Sequence, residues 1–127
     1  MRETVLIVDD SSTIRSIAKL FLKPLEVDVQ EAEAGQQALE MVRARPPALV
    51  VVDVNMPGDL DGLAFTRALR ADSSAAVSCV PVVILTGDRS DAMREQGRAA
   101  GATAFLGKPI KGADLTEMVR KFLRPPA

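Results

Sequence analysis

The chain has no histidine, no tryptophan and no tyrosine, and Cys79 is its only cysteine. A single cysteine cannot form an intrachain disulfide, and such low cysteine usage is typical of a reducing compartment, so we expect a cytoplasmic protein. A cysteine nucleophile usually needs a histidine partner, which this chain cannot supply. We therefore interpret Cys79 as a small apolar residue that leads into a strand.

The charge and hydropathy of the chain argue against two classes of partner. Its 16 basic and 17 acidic residues nearly balance, whereas binding to nucleic acid phosphates normally needs a basic face. No apolar stretch approaches the ~20 residues of a membrane span, and the first residues show no cleavage-site pattern, so we expect neither membrane insertion nor a signal peptide. With 127 residues and 47% hydrophobic content, residues 1–127 are predicted to form one globular domain.

Apolar runs alternate with amphipathic segments, which is the pattern of βαβ units around a parallel sheet. Strands are predicted near 4–9, 27–32, 48–53, 81–86 and 103–106, and helices near 12–23, 35–45, 62–71, 89–100 and 111–123. The first, third and fourth strands are almost wholly aliphatic, as expected of strands buried on both faces. The second alternates and the fifth is short, so both are placed at edges. A three-layer α/β domain with strand order 2-1-3-4-5 meets these conditions.

Residues at the ends of the predicted helices indicate where several of them stop. Ser11 or Ser12 can cap the first helix by accepting a bond from an early backbone N–H, and Pro24 should close it. The small, polar stretch 71–78 is predicted to be a surface loop.

Carboxylates follow two of the central strands. Asp9 and Asp10 come after the first strand, and Asp53 ends the third. In open α/β sheets the binding crevice lies at the carboxyl ends of the strands, where the strand order reverses. Three carboxylates gathered there repel one another and are stable as anions only with a cation between them. Oxygen ligands without histidine or cysteine favour Mg²⁺ or Mn²⁺.

Two further side chains complete a predicted phosphoryl-binding pocket. Lys108 follows the fifth strand and Thr86 ends the fourth. A carboxylate beside a metal can attack phosphorus and give an aspartyl phosphate. The metal and the lysine ammonium would offset charge on the phosphoryl oxygens, to which the Thr86 hydroxyl can donate.

These residues occur within short motifs that are weak singly but specific in this order and spacing. The motifs are Val8-Asp9-Asp10-Ser11, Asp53-Val-Asn55-Met56-Pro57, Asp61-Gly62, Thr86-Gly87 and Lys108-Pro109. With them the chain resembles the receiver domain of two-component response regulators, of the single-domain CheY-like type, over a core of about residues 3–124. The resemblance implies a flavodoxin-like (βα)5 fold and a phospho-acceptor signalling domain whose only catalysis is slow self-dephosphorylation.

The resemblance assigns roles to the acidic residues. Asp53 is implied to be the phospho-acceptor. Asp10, Asp53 and the backbone carbonyl of Asn55 are implied to bind Mg²⁺ directly, with Asp9 acting largely through water. No organic cofactor is implied.

Three more residues match the part of the family motif that senses phosphorylation. Lys108 is implied to pair with the phosphoryl group, across a bond to Pro109 that is usually cis in the family. Thr86 and Phe105 match the switch pair, in which the threonine moves toward the phosphoryl group and the ring turns inward.

The implied partners are proteins. Because the chain has no histidine, the phosphohistidine donor must be another molecule, a sensor histidine kinase or a histidine phosphotransfer protein. Ile14, at the edge of a broad apolar arc on the first helix, is our candidate for docking that donor. The family output surface, helix 4, strand 5 and helix 5, would present Met93, Phe105 and Lys121 to a downstream effector. The sequence contains no DNA-binding module.

Three features depart from the family pattern or from helix propensity. The turn Gly58-Asp-Leu60 is one residue longer than usual, which leaves the local loop shape open. Phe105 stands where many members have tyrosine, so the switch lacks a ring hydroxyl. Gly97 lies inside the fourth helix, where it either marks a marginal helix or packs against a neighbour.

Other functions fit the residues less well. A Mg²⁺-dependent phosphatase with an aspartyl nucleophile would need a general acid where Asn55 stands, and an intact acidic site argues against a pure docking module. A calcium loop starting at Asp53 fails at Pro57 and at Ala64, where a bidentate glutamate is required. No glycine-rich nucleotide motif occurs, and no tryptophan or tyrosine is present to stack on a flavin.

Overall fold

One parallel sheet of five strands organises the computed structural model, which describes residues 2–123. The strands are β1 (Thr4–Val8), β2 (Asp28–Ala32), β3 (Leu49–Asp53), β4 (Val82–Thr86) and β5 (Ala104–Gly107). Their order is β2-β1-β3-β4-β5, which confirms the predicted order. Arg124, the last residue of the predicted core, lies outside the described residues.

The sheet is covered on both faces by helices. These are α1 (Ser12–Leu22), α2 (Gly35–Ala44), α3 (Gly62–Arg70), α4 (Ala75–Ser78), α5 (Asp91–Ala100) and α6 (Gly112–Arg120). Helices α1 and α6 pack on one face, whereas α2, α3 and α5 pack on the other. The predicted three-layer arrangement is therefore confirmed. Within residues 2–123, no helix combines the length and apolar character needed to cross a membrane.

The central strands are buried because both of their faces meet a helical layer. Every residue of β3 and β4 is buried, including the terminal Asp53 and Thr86. The edge strand β2 is partly exposed along most of its length, and β5 has one fully buried residue, Leu106. The aliphatic runs thus lie inside the sheet and the polar or short ones lie at its edges, as the sequence predicted.

Helix α1 begins and ends close to the predicted positions. The Ser11 hydroxyl accepts the Ile14 N–H at 3.3 Å, so Ser11 and not Ser12 is the cap. The helix ends at Leu22, and the chain continues as one 3₁₀ turn over Lys23–Leu25 that contains Pro24. Proline lacks the N–H that a longer α-helix would use, which explains the change of helix type.

The stretch 71–78 corrects the prediction of a plain surface loop. It contains the short helix α4, whose Val77 is buried. A turn precedes the helix, because Asp72 Oδ1 accepts the Ser74 N–H at 2.9 Å. The predicted fourth and fifth helices are accordingly α5 and α6.

Arg70, the last residue of α3, forms hydrogen bonds with the segments that lead into β4 and β5. Its guanidinium donates to the carbonyls of Gly101 at 2.9 Å, Ser78 at 2.9 Å and Val80 at 2.6 Å. It also donates to Thr103 Oγ1 at 3.3 Å. One cation therefore satisfies backbone acceptors from two different loops.

Candidate functional site

Three carboxylates meet at the opposite edge of the sheet, where the strands end. Asp9 and Asp10 directly follow β1, and Asp53 is the last residue of β3, which neighbours β1. One carboxylate oxygen of each lies within 4.8 Å of the others. Asp9 and Asp53 are only 1% and 4% exposed, whereas Asp10 faces solvent. The structure thus brings together the three acidic residues that the sequence singled out.

Lys108 supplies the positive charge in this cluster. Its Nζ lies 2.8 Å from Asp53 Oδ2 and 3.9 Å from Asp9 Oδ2. The backbone directs it there, since Lys108 follows β5 and its N–H donates to the Thr86 carbonyl at 3.0 Å. The peptide bond from Lys108 to Pro109 is cis.

Two of the carboxylates are oriented by the turn that each one begins. Asp9 Oδ1 accepts the N–H of Ser11 at 2.9 Å, and Asp53 Oδ1 accepts the N–H of Asn55 at 3.1 Å. Such bonds from a side chain to the amide two residues later are typical of aspartate at turns. They occupy the Oδ1 atoms, so in both residues Oδ2 remains for other partners. In Asp53 that partner is Lys108.

Among the three clustered carboxylates, Asp9 has a pKa that its surroundings raise. Burial raises the pKa of its carboxyl, the bond from the Ser11 amide lowers it, and repulsion from Asp53 raises it, with a net result above the ordinary value. Asp9 Oδ2 is buried and accepts no hydrogen bond from residues 2–123. A buried oxygen without a donor is costly, and a bound cation would remove that cost. The oxygen-only donor set of Asp9, Asp10 and Asp53 therefore fits a hard divalent cation.

Thr86 and Asn55 are near the cluster but make other contacts. The Thr86 hydroxyl is buried and accepts the Asp88 N–H at 3.0 Å, so it is engaged with the loop that follows β4. Asn55 is exposed, and its N–H, as described above, holds Asp53.

Phe105, the other predicted switch residue, packs under α5. Its ring is half-buried and lies against Gly97. A Cβ at Gly97 would fall 2.5 Å from Phe105 Cε1 and 3.5 Å from Ile84 Cδ1. Of the two interpretations of this glycine, the structure supports packing against a neighbour.

Two residues contribute to the site in ways that the sequence did not assign to them. Arg15 donates from Nη1 to the Asp9 carbonyl at 2.6 Å and from Nε to Glu31 at 3.1 Å, which anchors the end of β1. Gly62 packs against the backbone of Asp53 so closely that a Cβ would collide with the Asp53 carbonyl oxygen. The signal for Gly62 was present as the Asp-Gly motif, whereas the long-range contact of Arg15 leaves no local pattern.

The loop after β3 is shaped by a glycine with positive φ and by a side-chain helix cap. Gly58 adopts a φ of +91°, a conformation that glycine takes without strain. Asp61 then caps α3 by accepting the Ala64 N–H at 2.8 Å. The cap is followed directly by Gly62, which lies against the backbone of Asp53.

The candidate partner surfaces differ in how much apolar area they expose. Ile14 is half-buried against the layer of α1 and α6, whereas Ile17 and Leu20 on the same helix are 37% and 68% exposed. On the predicted output side, Met93 is half-buried and Lys121 is exposed. The apolar arc of α1 is therefore shared between the core and solvent.

Comparison with known proteins agrees with this geometry. A family model described as the response regulator receiver domain matches residues 5–120. The DNA-binding response regulator MtrA of Mycobacterium leprae (strain TN) is 35% identical over 124 residues, which are 98% of this chain and 52% of that protein. The chain thus spans about half the length of the curated relatives it matches.

Solved structures give the same result. The chemotaxis protein CheY4 of Vibrio cholerae is 31% identical with a TM-score of 0.88, covering 97% of this chain and 100% of that one. The receiver domain of sensor histidine kinase PA1611 from Pseudomonas aeruginosa PAO1, crystallised with a magnesium ion coordinated in the active site cleft, is 26% identical with a TM-score of 0.85, covering 96% and 98%. These neighbours confirm the flavodoxin-like fold. The chain belongs to the family of response regulator receiver domains of two-component signalling.

Proposed function

We propose that this chain accepts a phosphoryl group on Asp53 from a phosphohistidine donor in the presence of Mg²⁺, and then presents an altered surface to a partner. The observation that carries the proposal is the pairing of a buried carboxylate with a single ammonium, Asp53 Oδ2 with Lys108 Nζ at 2.8 Å. Burial strengthens this electrostatic contact relative to one in water. Asp53 therefore lies at the carboxyl end of β3 beside an ammonium group that can also contact phosphoryl oxygens.

A divalent cation is part of the proposal. Asp9, Asp10, Asp53 and the backbone carbonyl of Asn55 would hold Mg²⁺, or Mn²⁺ in its place. The buried Asp9 Oδ2 that lacks a hydrogen-bond donor supports this assignment. Bound Mg²⁺ supplies positive charge that offsets the charge on phosphoryl oxygens.

Asp53 and Lys108 take part directly in the phosphoryl transfer. A carboxylate oxygen of Asp53 attacks phosphorus, and the bond from phosphorus to the donor nitrogen breaks with its electron pair leaving on the imidazole. Lys108 exchanges its contact with the Asp53 carboxylate for one with the transferred group. The chain acts as a stoichiometric acceptor, and hydrolysis of its own acyl phosphate is slow.

We propose that the surface change involves Thr86 and Phe105. The Thr86 hydroxyl would leave its bond with the Asp88 amide and donate to a phosphoryl oxygen. Phe105 lies on the neighbouring strand at the register position beside Ile84, two residues before Thr86. A shift of β4 and its loop would therefore reach the ring directly.

The proposed partners are a sensor histidine kinase or phosphotransfer protein, and a downstream effector. Donor docking is assigned to α1 around Ile14, and the effector to the α5, β5 and α6 face with Met93, Phe105 and Lys121. Replacing Ile14 by arginine should slow transfer from a cognate phosphohistidine donor and spare labelling by acetyl phosphate. Because Ile14 is half-buried, the exposed Ile17→Arg serves as a second variant that leaves the core intact. Equal slowing with both donors would contradict this assignment.

The remaining features of the proposal concern the whole chain. Residues 1–127 would act in the cytoplasm as one receiver domain that does not itself contact nucleic acid, consistent with the near balance of charges. The DNA binding in the name of MtrA belongs to a protein about twice as long as the matched region.

Intact mass spectrometry after incubation with acetyl phosphate tests the proposed function. Wild type should gain one phosphoryl group, about 80 Da, only with Mg²⁺, and Asp53→Asn should gain none. Asp59→Asn removes an exposed carboxylate from the next loop and should behave as wild type. Labelling that persists in Asp53→Asn, or repeated turnover of an added phosphomonoester, would contradict the proposal and favour a phosphatase.

A further inference from the structure

Asp10 is the member of the acidic cluster whose side chain is not held by the protein. It is exposed, and within residues 2–123 its carboxylate accepts no hydrogen bond and makes no ion pair. Asp9 and Asp53, in contrast, each accept a backbone N–H through Oδ1. One carboxylate oxygen of Asp10 nevertheless lies within 4.8 Å of those of Asp9 and Asp53. The place of Asp10 in the cluster is therefore set by its backbone.

The two peptide groups that flank the Asp10 Cα are each held by one side chain. Arg15 Nη1 donates to the Asp9 carbonyl at 2.6 Å, and Asp9 Oδ1 accepts the Ser11 N–H at 2.9 Å. Because a peptide group is planar, fixing the plane before a residue and the plane after it fixes the φ and ψ of that residue. Arg15 and Asp9 together thus determine the direction in which the Asp10 side chain leaves the backbone.

The other contacts of Arg15 suit it to this task. Its side chain is only 14% exposed, and Nε donates to Glu31 Oε1 at 3.1 Å while Nη1 holds the Asp9 carbonyl. The planar guanidinium thus binds two acceptors at once in a fixed geometry, which a lysine ammonium cannot reproduce. Glu31 also pairs with Lys19 at 3.2 Å. The negative charge of Glu31 offsets the charge of Arg15, which would otherwise repel a cation bound nearby.

We propose that Arg15, oriented by Glu31, is a positioning residue that fixes Asp10 for binding of the divalent cation. The inference rests on the cation site of the proposed function and deepens it. Arg15 acts through the Asp9 carbonyl on the backbone of Asp10, and not by contact with the cation. Removal of a residue that orients a metal ligand typically weakens metal binding 10–100-fold.

Titration calorimetry of the metal-free protein with Mg²⁺ tests the role of Arg15. Arg15→Met should bind Mg²⁺ about ten-fold more weakly than wild type, because the backbone of Asp10 is no longer fixed. Lys19→Met removes the other cation that pairs with Glu31 and leaves the Asp9 carbonyl bonded, so it should bind Mg²⁺ as wild type does. Arg15→Lys keeps the charge and loses the fork, so its affinity should lie between those of Arg15→Met and wild type. It also serves as the test variant if Arg15→Met does not fold.

Two further readouts separate positioning from a general loss of stability. In the metal-free protein, ¹⁵N relaxation of the Asp10 amide should give an order parameter of about 0.85 in wild type and below about 0.6 in Arg15→Met. The Mg²⁺ concentration that gives half the maximal rate of labelling by acetyl phosphate should rise about ten-fold in Arg15→Met, with a much smaller change in the maximal rate. A residue that only stabilised the fold would lower the Tm and leave both quantities unchanged.

Three results would overturn the assignment of Arg15. These are an unchanged Mg²⁺ affinity in its two variants, an equal weakening in Lys19→Met, and an Asp10 amide that is as ordered in Arg15→Met as in wild type. A wild type that binds no Mg²⁺ would overturn it together with the cation site. A wild type that binds Mg²⁺ but gains no phosphoryl group would contradict the acceptor function alone, since affinity and amide order are measured without a phosphodonor.

Discussion

Gly97 and Phe105 are in direct contact, with the glycine in the interior of α5 and the edge of the aromatic ring filling the space that a side chain would occupy. The contact joins a helix to the edge strand of the sheet, at a residue that we propose takes part in the switch. Glycine is a poor helix former, but its lack of a side chain leaves room beside α5 for the Phe105 ring.

Replacing Gly97 by alanine should destabilise the protein although alanine is the better helix former. The gain in helix propensity is about 1 kcal/mol, whereas forcing a methyl group against the ring costs about 1–3 kcal/mol. In a Phe105→Ala background the collision is absent, so Gly97→Ala should become stabilising there. Urea unfolding of the four proteins measures both signs, and destabilisation of equal size in both backgrounds would contradict the contact as its cause.

Asp9→Asn should raise the stability of the metal-free protein at neutral pH. Burial raises the pKa of Asp9 in the folded state, so its contribution to stability is present below the ordinary pKa and is lost as pH rises through the raised one. The amide cannot ionise, so its advantage in Tm should grow as pH rises over that window. Thermal unfolding from acidic to neutral pH measures it, with Asp59→Asn as the control.

The same substitution should abolish stabilisation by Mg²⁺. Added Mg²⁺ should raise the Tm of wild type, because a ligand that binds only the folded state stabilises it. Asp9→Asn lacks one of the three clustered carboxylates and should show little response. A wild type whose Tm does not respond to Mg²⁺ would count against the cation site.

Lys108→Ala should have opposite effects on metal binding and on phosphorylation. The ammonium lies 2.8 Å from Asp53 and competes with a cation for the same carboxylate, so its removal should tighten Mg²⁺ binding about five-fold. Labelling by acetyl phosphate should fall about ten-fold or more, because a donor to the phosphoryl oxygens is lost. Titration calorimetry and intact mass measure the two effects. Lys111→Ala, which removes an exposed lysine, should leave both unchanged.

Arg70→Met should lower the free energy of unfolding without changing phosphorylation. The substitution leaves the carbonyls of Ser78, Val80 and Gly101 without their donor, at a cost of about 3 kcal/mol. Arg67→Met on the exposed side of the same helix should cost much less. Urea midpoints with unchanged slopes would establish the effect. A matching loss of labelling rate would show that this edge of the sheet is coupled to the site.

The strand order and the acidic cluster were predictable because both follow from local pattern and topology. A run such as Leu49–Asp53 signals a strand buried on both faces, and parallel strands place their terminal residues at one edge. Asp9, Asp53 and Lys108 therefore had to converge once the order was known.

Several contacts that hold the site and the sheet edges in place join residues that are distant in the sequence. Nothing around Arg15 or Arg70 indicates which carbonyls they reach, and Gly97 alone does not reveal the Phe105 ring. Helix α4 was missed because four small residues carry little helical periodicity, and only the burial of Val77 anchors them. Such features are decided by packing, which sequence pattern does not encode.

The salt bridge between Asp53 and Lys108 spans the full width of β4, since β3 and β5 are not neighbours in the sheet. It links the end of a central strand to the residue that directly follows β5, an edge strand. A change of charge at Asp53 therefore acts directly on the end of β5, where the Lys108 N–H is bonded to the Thr86 carbonyl of β4. Because β5 is bonded along one side only, its end can shift with less disruption than the end of a central strand.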